Sequence, residues 1–217
     1  MREFVRQCLH CTDTLSGDVV PRPLGETVHS TAPNEVVHFD YVYVGESGPQ
    51  ASQGLFEDAG FLFILVIADD LSNFVLMEPV VVCTAEATAA SLLTWCQTLG
   101  LQRVRVSDTA THFKNVILTR LREALRIDHQ FAVAYSPWSK GTRERMVKEV
   151  VDCLRSILLE QRRAVSVWVD VLPAVQWALN TAFRPRYGST PYHVTFGRAP
   201  RSVGEFVRRG VELRCLG

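Results

Sequence analysis

The chain has 217 residues, 47% of them apolar, and its 23 Lys and Arg are balanced by 23 Asp and Glu. That length and apolar content suit one domain of ordinary size with a sizeable core; no apolar run reaches membrane-spanning length, and residues 1–15 lack the basic-then-apolar pattern of a secretion signal. The zero net charge hides an asymmetry: residues 1–100 hold 3 basic against 13 acidic side chains, and residues 101–217 hold 20 against 10. After Phe183 the bias sharpens to seven arginines (184, 186, 198, 201, 208, 209 and 214) against Glu205 and Glu212. Such a surface suits a polyanion, or is a set of solvated helix faces with a basic tail. Cys8, Cys11, Cys83, Cys96, Cys153 and Cys215 are scattered through mostly apolar contexts, which fits reduced thiols better than a disulfide framework.

Residues 1–35 are irregular, with Pro21, Pro23, Gly25 and Pro33. Strands are predicted over about 36–44, 61–69 and 73–82, with a Gly/Ser/Glu-rich loop over 45–60 and a tight hairpin at "DDLSN", Asp69 to Asn73. A helix over 84–98 has Thr84 as N-cap and ends at Gly100. Then come a strand at 102–108, a helix over about 113–126, a strand at 129–134, a loop at "YSPWSKG" (135–141), and helices over about 142–163 and 167–183, the second kinked or delayed by Pro173. Three strands as a meander followed by alternating helices and strands make an α/β fold on a five-stranded mixed sheet.

Asp40 lies inside the strand-like run "VVHFDYVYV", where aspartate is disfavoured and a buried charge is costly without a partner. Asp108 ends the fourth strand, at the kind of strand end where α/β sheets place ligands. Glu144 opens the long helix at the edge of the stripe formed by Val147, Val150, Val151, Leu154, Ile157 and Leu158. If the first and fourth strands are neighbours, three carboxylates converge. Their repulsion is relieved by divalent cations, and two such ions would clamp the oxygens of a phosphodiester. Singly, Asp40 also reads as an edge-strand residue, Asp108 as a helix N-cap and Glu144 as a first-turn acid.

With these motifs in view, the sequence from about Phe4 to Pro200 resembles the catalytic core of retroviral and LTR-retrotransposon integrases, DDE polynucleotidyl transferases with an RNase H-like fold. "VVHFDYV" resembles the first-aspartate strand, "VSDTATHFKN" the second-aspartate motif, "SPWSKGTRERMVKEV" the glutamate motif and "GSTPYHVTFGRAP" the terminal core motif of LTR elements. The 35 residues between Asp108 and Glu144 match the retroviral spacing. The resemblance implies that Asp40, Asp108 and Glu144 are catalytic and hold two Mg²⁺ or Mn²⁺ ions. It implies 3′-end processing of element DNA and joining of that end to target DNA, in the nucleus, by a homo-oligomer and away from any membrane. The alternative is a decayed or domesticated core that binds nucleic acid or a protein without catalysis. A ribonuclease H shares the fold, but the terminal core motif does not belong to it.

The sequence departs from the family at Ala110, where glycine is usual and a shifted turn is expected, and at Lys140, which adds a cation before the loop glycine. Lys140, Arg145, Lys148 and Arg155 are the nucleic-acid-binding candidates, with Glu144, Lys148, Arg155 and Arg162 clustering on one helix face. Cys8 and Cys11 look like half of an N-terminal His-His-Cys-Cys zinc module. His10 and His29 are poorly placed to complete it, so zinc is not expected here. The expected division is residues 1–30 as a zinc-module remnant and linker, 31–200 as the core and 201–217 as a basic tail. Asp69 and Asp70 read as turn formers, His112 as a helix-start residue, Trp95, Trp168 and Trp177 as core, and Trp138 as a loop residue.

Overall fold

The computed structural model describes residues 30–47, 60–110, 113–131 and 137–201, and of 137–143 the backbone alone. Five strands form one sheet: β1 (Val36–Tyr43), β2 (Phe63–Asp69), β3 (Val75–Val80), β4 (Val104–Ser107) and β5 (Asp128–Phe131). Their spatial order is β3-β2-β1-β4-β5. The first three are an antiparallel meander, while β4 runs parallel to β1 and β5 parallel to β4. The mixed five-stranded sheet expected from sequence is therefore present.

Helices cover both faces. The first, α1 (Ala85–Leu99), starts at Thr84, whose side chain accepts the Ala87 N–H, and stops at Gly100 with φ of 89°. With α2 (Val116–Leu125) it buries Leu92, Trp95 and Leu118 against Val37, Phe39, Leu65 and Ile67. On the other face, α3 (Pro137–Glu160) and α4 (Trp168–Thr181) bury Val150, Leu154, Val171 and Val175 against Val42, Ile64, Val66 and Met77. Odd and even residues of β1 thus serve different cores, as strand alternation requires. At the free edge, buried Asn180 of α4 accepts the Val75 N–H at 2.7 Å and donates to its carbonyl at 2.8 Å, and Gln176 accepts the Met77 N–H at 2.7 Å. These bonds satisfy backbone groups that an edge strand otherwise exposes.

Several expectations are corrected. The long helix begins at Pro137, so most of "YSPWSKG" is helical rather than loop, Trp138 included. Proline suits the first helical position, because its missing N–H is one the helix would not use. The same helix ends at Glu160, so Arg162, with φ of 53°, lies past its end and off the expected ridge. Pro173 sits inside α4, which follows a 3-10 turn at Val165–Val167. A short helix not anticipated from sequence, α5 (Pro191–Phe196), is capped by Thr190 and closed by Gly197 at φ of 68°. Trp95 and Trp168 are fully buried as expected, but Trp177 is 39% exposed, on the outer side of α4.

Candidate active site

The site is built on the junction of β1 and β4. Their parallel register pairs Val36 with Val104, Val37 with Arg105 and His38 with Val106. The ladder ends at that pair, with Asp40 two residues beyond His38 on β1 and Asp108 two residues beyond Val106, just past β4. Asp40 alternates with Phe39 and Tyr41, which join the α1/α2 core, and shares its face with Val42, which packs under α3 and α4. Both aspartates are half-buried. Asp40 accepts the Tyr41 N–H at 2.8 Å, and Asp108 accepts the Ala110 N–H at 3.0 Å in an Asx turn.

The segment after Asp108 is pinned from the opposite core. Phe113 is 1% exposed, edge-on to Phe39 at 5.0 Å and stacked on Tyr41 at 5.6 Å. Ser107 donates to the Asp108 carbonyl at 2.9 Å and shares a hydrogen bond with His129 Nε2 at 2.9 Å. Burial, helped by the charges of Arg105 and Arg122, pulls the His129 imidazole down to about 4, so it is neutral near pH 7. Ala110 is not among the residues with positive φ. The turn therefore takes alanine without the strain that the usual glycine suggested.

Glu144 is exposed on α3. It precedes Val147 and Val151, both packed on the sheet, by three and seven residues, and so continues the sheet-facing stripe toward the helix start. The bland readings of the three acids do not survive. Asp40 lies on the central strand, not an edge; Asn115, not Asp108, caps α2; and Glu144 lies about two turns inside a helix whose first turn has no acid. Among the described residues, no three His, Cys, Asp or Glu side chains gather closely enough to form a metal cage. The donor set nevertheless fits a hard cation, since Mg²⁺ is commonly held by one or two carboxylates, with water and phosphate oxygens completing its shell.

Arg145, Lys148 and Arg155 are exposed along α3. Lys140 lies on the same helix, but its side chain is outside the described residues, as are Cys8, Cys11 and His112. Sequence reasoning missed two clusters. His38 Nε2 meets Asp70 Oδ1 at 2.9 Å, and Arg184 pairs with Glu149 at 2.7 Å. His38 is two residues from Asp40, a hint in hindsight; nothing in the spacing of 149 and 184 signals their pairing.

A mixed sheet in this order, covered on both faces by helices and carrying carboxylates at the β1–β4 junction, is the RNase H-like fold. It superposes on the catalytic core domain of HTLV-2 integrase, solved with magnesium in a trimeric form, with a TM-score of 0.60, 16% identity, and coverage of 77% of this chain and 99% of that one. A simian T-cell lymphotropic virus intasome bound to the PP2A regulatory subunit B56 gamma gives a TM-score of 0.66 at 17% identity, covering 93% and 69%. In sequence, the chain is 26% identical over 195 residues to the Pro-Pol polyprotein of simian foamy virus type 3, covering 90% of this chain and 16% of that polyprotein. It is 31% identical over 144 residues to the Pol polyprotein of feline endogenous virus ECE1, covering 65% and 13%. No family model matches. The chain is a homologue of retroviral Pol polyproteins and has the fold of their integrase catalytic core, while spanning less than a fifth of those polyproteins' length.

Proposed function

We propose that the chain is the core of an integrase-type DNA strand transferase, which processes element DNA 3′ ends and joins them to target DNA in the nucleus. The supporting observation is the parallel β1–β4 pairing, which ends two residues short of both Asp40 and Asp108, with the helix that carries Glu144 covering that face of the sheet. These three residues would hold two Mg²⁺ or Mn²⁺ ions, which when bound supply Lewis acidity at the scissile phosphodiester. The chain's own part is positional. Phe113 and Ser107 hold the Asp108 turn, the central strand holds Asp40, and exposed Arg145, Lys148 and Arg155 attract the DNA backbone. Lys140 is proposed to join them. The core is proposed to span residues 31–200 and to work as a homo-oligomer.

The test is a strand-transfer assay on short duplex DNA with Mg²⁺ or Mn²⁺. Joined products that disappear with chelator and in Asp108→Asn are expected. Duplex binding without cleavage or joining under any divalent ion would sink the catalytic reading and leave a DNA-binding core.

A further inference from the structure

A second polar site lies on the same face of the sheet. A cleft opens between the β2–β3 turn, α3 and the segment after α4, floored by Ala68 and Val75 and rimmed by Arg145, Glu149, Arg184 and Arg186. Both acids of the cleft are already engaged: Glu149 by Arg184 at 2.7 Å, and Asp70 by His38 at 2.9 Å and by Ser30. Arg145 and Arg186 are exposed and have no ion-pair partner among the described residues. Arg184 is half-buried, and its Nε is buried without a hydrogen-bond acceptor. A buried donor left unmade is costly, and the guanidinium that carries it lines the cleft.

The arginines sit on a prepared frame. Arg184 N donates to the Ser189 carbonyl at 2.7 Å, Gly188 turns the chain at φ of 61°, and the Tyr187 hydroxyl donates to the Ser72 carbonyl across the fold. Pro185 fixes its own φ between the two arginines. A backbone held this way loses little freedom when a ligand arrives.

We propose that this cleft is a phosphodiester-binding site for nucleic-acid backbone, with Arg145, Arg184 and Arg186 as its donors. The inference rests on the DNA reading above and adds a subsite to it. Position favours DNA over an acidic peptide. Asp40 pairs with Val66, and Ala68 lies two residues further along β2, about 7 Å away. That is about two base steps of a duplex strand. A DNA strand whose reacting phosphate lay at Asp40 and Asp108 would carry a nearby backbone phosphate over the cleft.

The experiment measures binding of the full chain to a short fluorescein-labelled duplex, without divalent ions, over about 50 to 200 mM salt. Arg186→Glu and Arg145→Glu are each expected to weaken binding roughly tenfold at the low end and to lower the slope of log affinity against log salt by about 0.9 per lost phosphate contact. Arg120→Glu, an exposed charge reversal on α2 across the sheet, should change binding less than about twofold if the effect is local. Wild-type binding with an unchanged Arg186→Glu curve overturns the cleft proposal alone. So does an Arg120→Glu loss equal to that of Arg186→Glu, or loss of polyglutamate binding in Arg186→Glu with DNA binding intact. Failure of the wild type to bind duplex overturns both this inference and the DNA reading.

Discussion

Asp69 and Asp70 close the hairpin end of β2, while Asp40 and Asp108 lie on β1 and just past β4. Asp69 is 1% exposed and accepts hydrogen bonds from Asn34 N at 2.7 Å, Ser72 N at 2.7 Å and Ser72 Oγ at 2.6 Å. Asp70 is held by Ser30 N, Ser30 Oγ and His38 Nε2. Apart from the two from Ser72, these bonds reach across the chain, and those from Ser30 and Asn34 tie its first described residues to the sheet. The backbone donors of Asp40 and Asp108 come from their own neighbours, Tyr41 and Ala110. They orient a carboxylate without joining distant parts. A carboxylate whose donors span the fold serves stability, while local backbone donors fix the direction in which a carboxylate points.

The largest expected effect tests the second pair. Asp40→Asn or Asp108→Asn should cut strand transfer by about a thousandfold or more, because a carboxylate proposed to hold the divalent ions is lost. The melting temperature should stay within a few degrees of wild type, since the backbone donors that orient the two carboxylates are local. A large drop in melting temperature with residual activity would erase the contrast.

Asp69→Ala tests the first pair. It leaves the N–H groups of Asn34 and Ser72 and the Ser72 hydroxyl without their acceptor in a buried place. At about 1–3 kcal/mol per stranded group, partly relaxed, a loss of about 3 kcal/mol is expected in urea unfolding. A loss under about 1 kcal/mol would show that the turn holds without its carboxylate.

Much of this was legible in sequence, for physical reasons. The run at 36–44 is rich in valine and aromatic residues, so its strand was readable, and its misplaced aspartate is what raised the candidate site. The Asp108 turn and the cap of α1 are local chemistry. The start of α3 was not readable, because Pro137, Ser139 and Gly141 together read as loop, although proline is also favoured at the first helical position. The six-residue α5 is too short to show a period, although its cap and stop residues stand in the sequence. Trp177 read as core because its helix is apolar; which side faces out depends on how α4 docks. The bonds from Ser30 and His38 to Asp70 span 40 and 32 positions, and no spacing rule reaches so far.

Acid should separate the two hairpin aspartates. Burial pushes the Asp70 carboxyl up, but the His38 hydrogen bond, the Ser30 N–H and the imidazole charge outweigh it and bring it down to about 2. Its unfolded value is about 3.9, so its contribution is fully present above that pH and is lost as pH falls through 2. Asp69 moves the other way: burial raises its carboxyl, against the pull of the Ser72 and Asn34 bonds. Wild type should therefore lose about 1–2 kcal/mol from Asp70 between about pH 4 and pH 2, partly offset by Asp69. Asp70→Asn should be less stable at neutral pH and flatter in that window, as read by urea midpoints. A parallel acid profile in wild type and variant would refute the assignment.

The smallest effect is expected from Ser30→Ala. Ser30 is 9% exposed, and its hydroxyl donates to Asp70 Oδ2 at 2.9 Å, beside its own N–H at 3.1 Å on the same oxygen. The substitution removes the hydroxyl and leaves the backbone donor and the His38 bond in place. No group is stranded, because Oδ2 keeps a partner. The cost is then that of one hydrogen bond to a charged acceptor less what the remaining donor recovers, about 1 kcal/mol. The acid transition should also begin at slightly higher pH, because the hydroxyl is one of the groups that lower the Asp70 carboxyl. Combining Ser30→Ala with Asp70→Asn should cost less than the sum of the two, since they act on one network. Full additivity would mean that Ser30 supports the fold by a route other than Asp70, and that the hairpin pair is not the shared tie that sets it apart from Asp40 and Asp108.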